Sequence, residues 1–320
     1  MSFWHEKLRI GTLEVPRFIG GPVDGISDSP FRQIIRQYCT ESLLFSEITH
    51  ANYLAHARKN VKALEFCQSE RPLIFQLAAN GTDNLQTACR LVLEAGVDAI
   101  DLNIACPARN VIGSGSGSAL MADPERLKEI LTTLRTLVPV PLTVKMRAGF
   151  KRKNALDIAR LVYECGVDAI FIHPRLQTQK HRGVMDYELV REIKQVVPIP
   201  VILSGGIVDW DSAQAAHKAA GADGYLVSRG MIGQPWKLRE LNQQSQGKEF
   251  QLKVTHKQAS ALAHLDKMTK YYGEHGVPAF RKHVPYYLTG VEGACSARKE
   301  IMETFCPQKV ATILKQFIRP

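Results

Sequence analysis

No run of 18 apolar residues occurs in this 320-residue chain, so no stretch reads as a membrane-spanning helix. The opening MSFWHEKLRI carries charge where an export signal needs an apolar core, and a cytoplasmic protein is expected. No C-x-x-C pair is present. The seven cysteines, at positions 39, 67, 89, 106, 165, 295 and 306, are odd in number and lie in unrelated contexts. That argues against both a disulfide framework and a zinc site, and fits a reducing compartment. Acidic residues are in deficit, 31 Asp/Glu against 41 Lys/Arg, giving a net charge of +10 and a pI of about 9.3. A basic balance alone points only weakly to nucleic acid. Its distribution says more: residues 252–320 hold 11 Lys/Arg and 5 Asp/Glu, so six of the ten net positive charges fall in the last fifth of the chain. What remains is ordinary for a globular protein, at 45% hydrophobic and 22% charged, and long enough for one large α/β domain and a small second one.

Three segments echo one another: Glu94-Ala95-Gly96-Val97-Asp98-Ala99-Ile100, Glu164-Cys165-Gly166-Val167-Asp168-Ala169-Ile170 and Ala219-Ala220-Gly221-Ala222-Asp223-Gly224-Tyr225. Each ends a helical stretch on a glycine suited to the left-handed position, then turns through an Asp into a strand. Filling in between predicts strands at Phe18–Gly20, Leu43–Glu47, Leu73–Leu77, Ala99–Asn103, Leu142–Met146, Ala169–His173, Pro200–Ser204 and Gly224–Ser228. Amphipathic helices are expected at Asn84–Ala95, Pro124–Val138, Ala155–Cys165, Tyr187–Val197 and Ser212–Ala220. Eight strands alternating with helices read as an α/β fold, a (β/α)8 barrel; a doubly wound sheet would want a Gly-rich first turn that is missing. The barrel domain is expected to span 1–241. The apolar-free Asn242-Gln243-Gln244-Ser245-Gln246-Gly247-Lys248 suggests a linker over 242–251, and 252–320 a small all-helical C-terminal domain, with helices at Thr255–Tyr272, Gln308–Ile318 and around Ala279–Leu288.

Active sites of such barrels form at the C-terminal ends of the strands. In order, those ends carry Gly21-Pro22-Val23-Asp24, Ser46-Glu47, Gln76, Asn103 and Cys106, Lys145 and Arg147, His173 and Arg175, Ser204-Gly205-Gly206, and Ser228-Arg229-Gly230. Cys106 follows the fourth strand and precedes Gly113, Gly115 and Gly117 interleaved with serines, which reads as a thiol beside a mobile loop able to close over a substrate. The two glycine turns after strands seven and eight suit a phosphorylated ligand, because no side chain blocks their backbone. Lys145, inside the apolar Leu142–Met146 strand, would be costly without an anion or polar ligand. Gln76 can offer paired donor and acceptor groups to a planar heterocycle.

Taken together, Gly21-Pro22-Val23-Asp24-Gly25, Ser46-Glu47, Gln76-Leu77-Ala78, Asn103-Ile104-Ala105-Cys106-Pro107-Ala108, Gly117-Ser118-Ala119-Leu120, Val144-Lys145-Met146-Arg147, His173, Ser204-Gly205-Gly206-Ile207, Arg229-Gly230, Gln234-Pro235-Trp236 and Arg281-Lys282-His283 resemble the flavin-dependent dihydrouridine synthases of bacterial type, in order and over nearly the whole chain. The resemblance implies a TIM barrel that binds FMN, followed by a helical RNA-binding domain. It implies reduction of selected uridines of tRNA to 5,6-dihydrouridine with NADPH as reductant; a monomer is the default expectation, since nothing in the sequence reads on oligomeric state. On matching positions, Pro22, Gln76, Lys145, His173, Gly205, Gly206, Arg229 and Gly230 would hold FMN, joined by Gly21, Val23, Ser204 and Ser228 beside them. Asn103, Arg147, Arg175, Arg281, Lys282 and His283 would contact the RNA, and Cys106 would be the general acid; no metal is expected. The chain departs from the family pattern at Gly21-Pro22-Val23, Ala105, Pro174 and Ser204.

The chemistry is consistent with these residue types. Hydride delivered from flavin N5 to uracil C6 builds charge toward C5, and a thiol, with an ordinary pKa near 8.5, is protonated at neutral pH yet acidic enough to give its proton to that carbon. A lysine beside the flavin would stabilise its anionic reduced form. A uridine must leave its stack to react, so a basic surface with exposed aromatics, Tyr286 and Tyr287, is expected nearby. Two alternatives share parts of the pattern: an FMN-dependent reductase of free pyrimidines, and a catalytically silent tRNA-binding protein.

Overall fold

The computed structural model describes residues 3–57, 61–180 and 182–319. A short antiparallel hairpin, β1 (Leu8–Ile10) and β2 (Leu13–Val15), precedes eight parallel strands: β3 (Phe18–Gly20), β4 (Leu44–His50), β5 (Leu73–Ala78), β6 (Ala99–Ile104), β7 (Leu142–Gly149), β8 (Ala169–Leu176), β9 (Val201–Ser204) and β10 (Gly224–Val227). They close in sequence order, β10 pairing with β3, so the sheet is the expected (β/α)8 barrel. Around it lie α1 (Ser29–Arg36), α2 (Ala51–His56), α3 (Leu85–Glu94), the short α4 (Arg109–Gly113), α5 (Pro124–Leu137), α6 (Ala155–Glu164), α7 (Tyr187–Val196), α8 (Trp210–Ala220) and α9 (Lys237–Ser245). Asp123 caps α5 by accepting from Arg126 N, with Pro124 in the first turn where its missing N–H costs nothing.

The repeated Gly-x-Asp has a specific function in closing the barrel. Gly96, Gly166 and Gly221 adopt φ of 85°, 79° and 61°, the left-handed turn that ends each helix. The Asp two residues on then reaches sideways to the preceding strand. Asp98 accepts from Leu73 N at 2.8 Å, Asp168 from Leu142 N at 2.8 Å and Asp223 from Val201 N at 2.9 Å. Each carboxylate also meets a cation, Arg71, Arg135 and Lys194 respectively. These joints lie at the strand starts, away from the rim that carries the chemistry.

Inside the barrel, Ile19, Phe45, Ile74, Phe171, Ile202 and Leu226 fill the lower half, with Phe45 and Phe171 edge to face at 4.9 Å. The inward-facing polar residues of the site, Gln76, Asp101, Asn103 and Thr143, stand above this apolar plug. Three strands, β4, β7 and β8, run three residues past their expected ends and raise the rim, and β5 and β6 run one residue past theirs. A register shift in β4 between Phe45 and Ile48 marks a β-bulge there.

The C-terminal part is helical: α10 (Val254–Tyr272), α11 (Gly276–Phe280), α12 (Val284–Tyr287), α13 (Ala294–Glu303) and α14 (Pro307–Phe317), around Leu265, Met268, Phe280, Tyr287, Ile301 and Leu314. Three expectations change here. The linker begins later, because α9 continues through Ser245 and Asn242 is buried, donating to Ser42 Oγ at 3.0 Å. The helix expected around Ala279–Leu288 is two short ones, broken at Arg281–His283. Helix α13 had no clear periodicity. The unit docks on the α1 side of the barrel, where Tyr38 meets Ser260 Oγ (2.5 Å), Lys267 donates to Gln33 Oε1 (2.8 Å) and Tyr272 to Asp28 Oδ2 (3.0 Å).

Candidate active site

A cavity of about 530 Å³ opens at the C-terminal rim. Its walls gather Pro22, Val23, Gln76, Asn103, Cys106, Lys145, Arg147, His173, Ser204, Gly205, Gly206, Ser228, Arg229 and Gly230 from all the strand ends except that of β4, which contributes Ile48. Gly21 stands behind the wall: a Cβ there would lie 2.3 Å from Ser228 Oγ, so only glycine lets the chain pass.

The cavity floor is one hydrogen-bonded chain. Asp101 and Asn103 on β6 and Thr143 on β7 all face inward, as alternation along a strand requires. Thr143 Oγ1 donates to Asp101 Oδ1 (2.7 Å), and Gln76 Nε2 donates to Asp101 Oδ2 (2.7 Å). Gln76 Oε1 accepts from Asn103 Nδ2 (2.8 Å), and Asn103 Oδ1 accepts from the backbone N–H groups of Ala105 (3.0 Å) and Cys106 (2.8 Å). Because a carboxylate only accepts, Asp101 forces the Gln76 amide one way round, which forces Asn103 likewise. Asp101 is fully buried, and that burial pushes its carboxyl up to about 7 against the pull of its hydrogen bonds. In the sequence it is one residue of the strand expected at Ala99–Asn103, with no mark of a site.

Cys106 is half-buried and its backbone is pinned from both sides: Asn103 holds its N–H, and Ser118 Oγ donates to its carbonyl at 2.8 Å. The second half of the Gly/Ser loop is tied into the structure, while Gly113 and Ser114 are exposed. Ser116 and Ser118 are fully buried, His50 Nε2 and Ser116 Oγ are 2.7 Å apart, and a Cβ on Gly117 would meet the Cys106 carbonyl at 3.0 Å. The serines serve as hydrogen-bonding ties and the glycine permits close approach.

Lys145 faces the cavity from β7 and makes no hydrogen bond among the described residues. Burial, reinforced by the Arg147 guanidinium, lowers it to about 8, against the opposing influence of Asp101 and Cys106. Arg147 plays another part than a substrate contact: it donates to the carbonyls of Ala105 (2.7 Å), Leu176 (3.2 Å) and Lys180 (2.8 Å), bracing the cysteine turn against the rim of β8. Arg175 lies outside the cavity wall, donating to the Gly183 carbonyl (2.9 Å), with Nη1 3.3 Å from His173 Nε2. At the far end, Gly205 and Gly206 take φ of 113° and 78°, and a Cβ on them would meet the His173 ring at 2.8 Å and Met185 Cε at 2.4 Å. A side chain on Gly230 would meet the Ile207 carbonyl at 2.9 Å. The two turns form a bare-backbone cradle beside Arg229, suited to an anion.

The basic triplet of the helical domain does not reach this cavity. Arg281 donates to the Thr304 carbonyl (3.1 Å) and lies over the Phe305 ring, and Lys282 Nζ is 3.8 Å from Asp28 Oδ2. His283 is wholly buried, against Phe31 and His264, and burial lowers it to about 3, so it is neutral and presents no charge to RNA. Tyr287 is likewise buried, against the expectation of an exposed ring; Tyr286 is exposed.

Among solved structures, an old yellow enzyme homologue from Zymomonas mobilis overlays with a TM-score of 0.58 at 13% identity, covering 80% of this chain and 96% of that one. Histamine dehydrogenase from Rhizobium sp. 4-9 overlays equally, TM-score 0.58 and 13% identity, over 83% of this chain and 51% of that chain. Those likenesses concern the fold. In sequence, a protein from Pseudomonas syringae named tRNA-dihydrouridine synthase B is 33% identical over 90% of this chain and 87% of its own length. Its namesake from Pseudomonas aeruginosa is 32% identical over 92% and 90%. A Synechocystis protein named probable tRNA-dihydrouridine synthase 1 is 29% identical over 99% and 91%. The family model described as dihydrouridine synthase matches residues 19–319, almost the whole chain. By that match and those identities, the chain belongs to the dihydrouridine synthase family.

Proposed function

We propose that this protein reduces specific uridines of tRNA to 5,6-dihydrouridine, using FMN and NADPH, with Cys106 as the acid. The observation that carries the reading is the placing of Cys106, Lys145 and the two glycine turns around one cavity. FMN fits these residues. The glycine turns beside Arg229, where any Cβ would fill the cradle, would hold its phosphate, and Gln76 and the cation of Lys145 would meet its ring system. Pro22, Val23, His173, Ser204, Gly205, Gly206, Ser228, Arg229 and Gly230 would line the rest.

When bound and reduced by NADPH, the flavin supplies the hydride that uracil C6 receives. The protein supplies orientation and the proton. Lys145 holds positive charge against the electron-rich side of the reaction. Asn103 has one amide proton beyond its bond to Gln76 with which to orient a uracil oxygen. Cys106 Sγ–H gives its proton to C5, and the thiolate left behind regains one from solvent. The surface that holds the RNA includes the helical domain through Arg281 and Lys282, but not His283, which acts inside the seam. The protein works as a cytoplasmic monomer in this reading. No helix among the described residues is long and apolar enough to cross a membrane.

The test is the dihydrouridine content of unmodified tRNA after incubation with the protein, FMN and NADPH. Formation at defined uridines, located by sequencing, supports the reading. Dihydrouridine in ribosomal RNA but not in tRNA would move the substrate, and free uracil or orotate reduced in preference to either RNA would overturn it.

A further inference from the structure

Beside the catalytic cavity lies a second one of about 380 Å³, and Asp24 and Ile48 line both. Its floor is the end of β4, its far wall the last turn of α10 with Tyr271 and Tyr272, and Tyr53 of α2 stands at its mouth, 59% exposed. The β4 bulge occurs between Phe45 and Ile48, so the strand's alternation is broken at Glu47, which lines this cavity and not the barrel interior. Bulges beside active sites commonly re-aim one side chain in this way. Glu47 Oε1 is buried and has no hydrogen-bond partner among the described residues.

The lining selects the chemistry of what can enter. Three carboxyl groups, Asp24, Asp28 and Glu47, face the space. Arg32 is taken up by Glu70 at 2.8 Å and the Ser27 carbonyl, and Lys62 by the Tyr271 carbonyl. With Arg32 and Lys62 so engaged and Glu47 Oε1 without a partner among the described residues, the space suits a ligand that donates hydrogen bonds better than it suits a phosphate. A ligand must instead bring N–H groups on a flat apolar body that can lie on an exposed tyrosine. Among nucleobases, guanine alone carries two adjacent donors, N1–H and N2–H₂, on its Watson–Crick edge, and these match the two oxygens of one carboxylate.

We infer that this cavity is a guanine subsite, which takes the base of a guanosine neighbouring the target uridine, pairs its Watson–Crick edge with Glu47 and lays its face on Tyr53. Burial and the nearby Asp28 and Asp24 push Glu47 up to about 7, and a two-donor edge would favour its ionised form. The inference rests on the proposed reaction with RNA and adds a determinant of which uridine is chosen.

The full-length protein with FMN and NADPH tests it. Once the modified uridine has been located, transcripts are prepared with each guanosine within two nucleotides replaced by inosine, which lacks the N2 amino group. With the wild type, one such replacement is expected to raise KM roughly tenfold with kcat little changed, the scale of losing one member of a bidentate pair. Glu47→Gln should raise KM on the guanosine transcript and abolish the distinction from inosine. Tyr53→Ala, at an exposed position, should raise KM on both transcripts alike. Equal KM for guanosine and inosine at every position, full discrimination by Glu47→Gln, or no guanosine near the modified uridine would each overturn the subsite while leaving the reaction itself intact. No dihydrouridine from any RNA is a different result, and both readings then fall.

Discussion

Two buried polar clusters in this protein are built on opposite principles. On the cavity floor, Thr143, Asp101, Gln76 and Asn103 form a chain in which each bond fixes the next, ending on the Cys106 backbone. In the seam between the barrel and the helical domain, Asp28, His264 and His283 lie together fully buried, but His264 Nε2 and both ring nitrogens of His283 have no hydrogen-bond partner among the described residues. A satisfied network orients groups around an open space. The seam rings instead act mainly as flat packing surfaces, stacked among Phe31 and Phe280 and held neutral by burial. Polar residue type alone therefore does not tell a site residue from a docking residue; whether it faces an open cavity or packed rings does.

The comparison can be broken in order of expected effect. Lys145→Met removes a cavity-facing cation that makes no hydrogen bond among the described residues, and should lower flavin retention and cut dihydrouridine formation by roughly 10²-fold or more. In the wild type, activity should fall as pH rises through about 8, where Lys145 loses its proton, and Lys145→Arg should move that falling limb upward. A pH profile of kcat/KM checks both.

Asp101→Asn comes next. An amide at this position both donates and accepts, so either of its ends can pair with Gln76 while the other meets the Thr143 hydroxyl, and the one-way demand on the Gln76 amide is lost. A fall in kcat of about tenfold is expected, larger than any change in KM for tRNA, with a shifted flavin absorption spectrum as the readout that a general loss of stability would not give.

His283→Leu should do least. Removing unpartnered ring nitrogens in favour of an apolar side chain of similar size is expected to change stability by under about 1.5 kcal/mol and to leave the salt dependence of tRNA binding unaltered. Thermal unfolding and filter binding measure these. A large drop in affinity at low salt would return His283 to the RNA surface and end the contrast between the clusters.

Much of the barrel was legible because its signals are local. A glycine in the left-handed turn and an Asp two residues later occur at every joint that the repeats marked, and the glycine turns at Gly205 and Gly230 fall at the strand ends where alternation placed them. Cys106, Lys145 and Gln76 stood out as residue types that a buried strand end tolerates only for a reason. Asp101 did not, since an acid in an alternating strand reads as a solvent-facing position, and only barrel closure turns it inward. Glu47 was missed as a wall of the second cavity because a bulge has no sequence signature here. His283 and Tyr287 were misplaced because their burial depends on how α10 and α12 dock against Phe31 of α1, a contact between residues far apart in the chain.

The measurement that bears most directly on the account is dihydrouridine formation by Cys106→Ala against the wild type, on the same tRNA, with equal flavin content verified by absorbance. The account predicts that the variant keeps its flavin and binds tRNA, yet forms dihydrouridine at least roughly 10²-fold more slowly. Equal rates for the two proteins would contradict it, and the proton at C5 would then have to come from a group other than the thiol that the cavity floor holds in place.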